Sequence, residues 1–131
     1  MRILERNEQI RHMLSCFEIS FVRRGYSCLA IAIERVCNGA KPGQMLYEEI
    51  AAVKKSTPSK VRANIRYVMR LAQKQGIPLY TAVTGRSSTD ALPPLGEFIK
   101  ACAAWVLSNN AVLEYDSRLD KTVVVWQPIA P

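Results

Sequence analysis

The chain has 131 residues, with 18 Lys and Arg against 11 Asp and Glu and a single His, for a formal net charge of +7. That length and its 49% apolar content suit one packed helical unit, and the positive field favours polyanionic partners such as nucleic acid. The strongly apolar run at 28–33 is too short to cross a bilayer and the opening MRILERNEQIRHM is too charged for a signal peptide, so a soluble, cytoplasmic protein with no membrane partner is expected.

In chain order, Ile10, Met13, Leu14 and Phe17 recur at spacings of three and four, which predicts a first amphipathic helix. EISFVRRGY interrupts it, with Gly25 as hinge, and Tyr26, Leu29, Ile33, Val36 and Cys37 then line one side of a second helix ending at Asn38-Gly39. QMLYEEIAAVKKS places Leu46, Ile50 and Val53 on one side of a short third helix. Thr57 can cap, and Pro58 can open, a fourth helix over 58–75, stopped by Gly76 and Pro78. IPLYTAVTG reads as a short fifth helix, and LGEFIKACAAWVL, with Phe98, Ile99, Cys102, Trp105 and Val106, as a sixth.

The end of the chain differs in kind. VLEYD and TVVVWQ are β-branched and aromatic and flank the polar SRLDK, the pattern of a β-hairpin. The expected fold is therefore all-α: a six-helix domain over 1–108 containing a helix-turn-helix, with a C-terminal β-hairpin extension over 109–131.

Cys16, Cys28, Cys37 and Cys102 form no close CxxC pair and His12 is the only histidine, so four reduced core thiols are expected and no metal or other cofactor. The single histidine, scattered carboxylates and lack of a glycine-rich phosphate loop leave no catalytic set, which argues against an enzyme.

The charge is concentrated. Between Glu49 and Asp90 there is no acid, while Lys54, Lys55, Lys60, Arg62, Arg66, Arg70, Lys74 and Arg86 all fall there. Winding the fourth helix at 100° per residue turns Val61, Ile65, Val68 and Ala72 inward, with Met69 beside them, and Ser59, Arg62, Ala63, Arg66, Tyr67, Arg70 and Lys74 outward. A solvated helix face usually mixes both signs, and this one does not.

A short helix, a tight KKST turn and a longer helix with small and basic residues facing out is the layout in which a second helix enters the major groove of double-stranded DNA. Arg can hold guanine O6 and N7, Asn can pair with adenine, and Lys or Tyr can engage phosphate. Ser59, Arg62, Ala63, Asn64 and Arg66 are the candidate base readers. Lys54, Lys55, Lys60, Tyr67 and Arg70 are the candidate phosphate contacts, with Arg86 as a further one and Thr57 at the head of the helix.

GYSCLAIAIERV (25–36), LYEEIA (46–51), TPSKVRANIR (57–66) and EFIKACAAWV (97–106) occur in this order, and over about residues 12–107 the chain resembles the DNA-binding effector domain of the stage zero sporulation protein A family of response regulators. The resemblance implies a six-helix fold around a helix-turn-helix, promoter binding, commonly by two copies on adjacent sites, and DNA contacts at Ser59, Lys60 and Arg66. It also places a basic phosphate-contact position at Arg24. The family's Glu-Arg pair in the recognition helix is here Arg62-Ala63, followed by Asn64 in place of Ala, and Tyr67 replaces a common His. A different base preference is therefore expected. The connector NGAKPGQM is shorter than usual, the segment 108–131 has no counterpart, and no receiver domain precedes the first helix, which fits an isolated effector module or a stand-alone relative. The alternative reading is a protein-interaction or dimerisation module that keeps the helix-turn-helix scaffold.

Overall fold

Each of the six predicted helical segments is a helix in the computed structural model, which describes residues 2–129. α1 (Arg6–Cys16) starts in a capping box, where Glu5 and Glu8 satisfy each other's backbone N–H groups, and it buries Ile10, Met13 and Leu14. α2 (Tyr26–Cys37) begins after Gly25, whose φ of 97° is left-handed. A Cβ there would stand 2.2 Å from the Asn64 carbonyl oxygen, so the position needs glycine both for its conformation and for close approach to the fourth helix.

α3 (Gln44–Lys54) differs in detail from the periodic expectation. Leu46, Tyr47, Ile50 and Ala51 are its buried residues, and Val53 is 55% exposed. With Tyr47 and Ala51 facing in, the buried stripe turns toward α2 and α4 (Pro58–Gln75), and Val53 is carried out of it. α4 runs over the expected span and buries Val61, Ile65, Val68, Met69 and Ala72. Gly76 separates it from α5 (Ile77–Thr84), and α6 (Leu95–Ser108) closes the helical set.

α2 packs against α1, α3, α4 and α6 and so occupies the middle of the helices. The rings of Phe17, Phe98 and Tyr80 meet in the core, with centroids 5.9 Å apart for Phe17 and Phe98 and 6.3 Å for Tyr80 and Phe98. Each such fully buried large side chain contributes about 1.5–3 kcal/mol. All four cysteines are free thiols on helices, and burial pushes the Cys102 thiol far up.

The predicted hairpin forms from β2 (Asn109–Asp116) and β3 (Lys121–Pro128), in full antiparallel register from Asn109↔Pro128 to Asp116↔Lys121. The periodic reading missed a third strand. β1 (Arg2–Ile3) pairs antiparallel with Leu113 and Val112, giving a sheet ordered β1-β2-β3, so the fold is mostly helical with a small sheet. The sheet is seated on the helices: Ala111 is fully buried, and Trp126 lies 5.5 Å from His12 and 6.1 Å from Trp105 between ring centroids. No described helix is long and apolar enough to cross a membrane.

Candidate nucleic-acid interface

The candidate surface is built on α3, the connector after it, α4 and the loop before α2. Lys55 takes a left-handed conformation, φ 52°, and the Ser56 N–H reaches back to the Ala51 carbonyl at 2.8 Å, so α3 ends and α4 begins within three residues. Thr57 accepts the Lys60 N–H on its hydroxyl at 3.2 Å and Pro58 fills the first turn. Thr57 is thus committed to starting the helix.

Burial of one stripe leaves the other side of α4 to solvent. Ser59, Lys60, Ala63, Arg66 and Arg70 are exposed on it, with Lys74 a turn beyond, while Arg62, Asn64 and Tyr67 are half-buried. The half-buried residues are held by neighbours. Arg62 donates to Gln44 Oε1 at 2.6 Å and lies 5.9 Å over the Tyr47 ring, leaning onto α3. Asn64 sits on the opposite flank, its backbone against Gly25.

Tyr67 gathers the loop before α2. Arg23 donates to its hydroxyl at 3.5 Å, and the Arg24 guanidinium lies 6.0 Å from its ring centroid. Arg23 was not among the sequence-derived candidates. The doublet Arg23-Arg24 is visible in the sequence, but only the packing of α2 on α4 shows that both arginines reach the same tyrosine.

Lys54 and Lys55 are exposed at the end of α3 and in the connector. Arg86 is placed differently, after α5, where its guanidinium pairs with Glu97 of α6 at 3.4 Å. The other ion pairs among the described residues are Arg2–Glu8, Arg35–Glu49 and Arg118–Asp116. Arg23, Arg24, Lys54, Lys55, Lys60, Arg62, Arg66, Arg70 and Lys74 therefore have no carboxylate within ion-pair distance among those residues. Burial raises the Tyr47 phenol above its ordinary value, and the positive charges of Arg62 and Arg66 pull it back, so both arginines project their field over the start of α3.

A surface of cations unpaired among the described residues, with small residues at Ser59 and Ala63 between them, can neutralise closely spaced anionic groups while letting a helix backbone come near a flat or grooved partner. No protein-family model matches the chain, and no curated protein sequence matches it either.

Proposed function

We propose that the chain is a sequence-specific transcription regulator that binds double-stranded DNA, with α3 and α4 acting as a helix-turn-helix and α4 entering the major groove. The observation that carries this reading is the basic face of α4 and its surroundings, unpaired with acid among the described residues and interleaved with small side chains. The ordered resemblance to the sporulation-regulator effector domain supports the same assignment.

In this reading Arg66, central and exposed, reads a guanine edge, while Ser59 and Ala63 let the helix approach the bases. Arg62 and Asn64 work from the two flanks, Arg62 after leaving Gln44. Lys54, Lys55, Lys60, Arg70, Tyr67, Arg23 and Arg24 hold phosphates on either side. Such a protein works where the DNA is, which in this reading is the cytoplasm.

Selection from a random double-stranded DNA pool tests the reading. A recovered motif whose preference is blurred at one position by Arg66→Ala supports it. Failure to enrich any sequence, with the protein folded by circular dichroism, overturns it.

A further inference from the structure

β3 is a free edge. The sheet order leaves one side of this eight-residue strand without a partner among the described residues. The Ile129 N–H donates to the Ser108 carbonyl at 2.9 Å, and the Leu4 N–H to Ala111 on the other side of β2. With the observed register, these bonds assign the inward-pointing backbone groups of β3 to Lys121, Val123, Val125 and Gln127. The N–H and C=O groups of Thr122, Val124 and Trp126 therefore point outward, away from β2. Natural sheets guard such edges with central charges, prolines, bulges or a covering element. Here the centre is Val123-Val124-Val125, the only charge is Lys121 at one end, and proline appears only at Pro128.

We infer that β3 docks a second copy of this chain, edge to edge and antiparallel, about a two-fold axis through Val124. The strand is self-complementary in that register. Val124 faces its own counterpart, Thr122 faces Trp126, Val123 faces Val125 and Lys121 faces Gln127, so no like charges meet. Val123 and Val125, both half-buried, share a face with the buried Val112 and with Ile3, which is 58% exposed, so pairing places the two copies' half-buried valines side by side.

Charge favours the same occupant. The chain carries +7, yet residues 109–131 hold Glu114, Asp116 and Asp120 against Arg118 and Lys121, a local excess of one negative charge. Two copies thus approach through a segment that adds little to their mutual repulsion. Trp126 lines one pocket with Gly76 and Pro78, just past the C-terminal end of α4, which leaves the Ser59 to Arg66 face uncovered.

This inference does not rest on DNA binding, and its test contains no DNA. Sedimentation of the intact chain over a range of concentrations is expected to show a mass rising toward twice that of one chain. Thr122→Pro removes an outward N–H at an exposed side chain and no bond to β2, so it should leave the circular dichroism unchanged and the mass at that of a monomer. Val125→Lys, which keeps every backbone group and places a charge in the valine surface, is the second variant and is expected to weaken association at least tenfold. A parent that stays monomeric at every concentration overturns the inference, as does a dimer that survives both substitutions.

Discussion

At the scale of single residues, the surface of α4 separates groups that look equivalent in the sequence. Arg62 and Arg66 are one turn apart, yet Arg62 is tied to Gln44 and Tyr47 while Arg66 stands free. Arg66→Ala is expected to cost about 1–3 kcal/mol on the selected DNA site and to relax preference at one base pair, with unfolding unchanged, as read by fluorescence anisotropy against variant sites. Gly25 carries the opposite kind of information. Gly25→Ala forces a left-handed alanine against the Asn64 carbonyl, and a loss of more than about 2 kcal/mol is expected in denaturant unfolding. Neither the restraint on Arg62 nor the place of Arg23 was legible in the sequence, because both depend on side chains 18 and 44 positions away.

At the scale of elements, the helices were legible because their causes are local. Thr57-Pro58 marks the head of α4, Gly76 its end, and the 3.6-residue period its buried stripe. Thr57→Ala should therefore remove about 1 kcal/mol of stability by freeing the Lys60 N–H, measured by the shift in urea midpoint at unchanged slope. β1 was not legible, since two residues show no period and Arg2–Ile3 become a strand only because β2 offers an edge to them. The seam between sheet and helices gives a pH effect. Half-burial beside Trp126 holds the His12 imidazole below its ordinary value of 6.5. The folded state then prefers the neutral ring and the unfolded state binds more protons, so this contribution is full above 6.5 and is lost as the pH falls from there through the lower folded value. Urea unfolding at pH values of about 7.5 and 5.5 should show the parent weakening, and His12→Phe, which keeps an aromatic ring without a titrating nitrogen, should show a smaller loss.

At the scale of the whole molecule, the charge is arranged as two regions of different character, a basic face around α4 and a near-neutral sheet whose valine edge is open among the described residues. A +7 chain can bind DNA by diffuse attraction alone, so affinity by itself does not test the basic face, whereas the salt dependence does. Each neutralised phosphate contributes about −0.9 to the slope of log affinity against log salt, so Arg23, Arg24, Lys54, Lys55, Lys60 and Arg70 together should give about −5. Lys60→Ala should make that slope shallower by about one and weaken all sequences alike, because a lysine beside the phosphate backbone carries no base information. Arg86→Ala should leave the slope unchanged, since Glu97 already occupies that guanidinium. Equal slopes for the parent and Lys60→Ala, or an equal decrease for Lys60→Ala and Arg86→Ala, would mean that binding senses net charge and not the face that α4 presents.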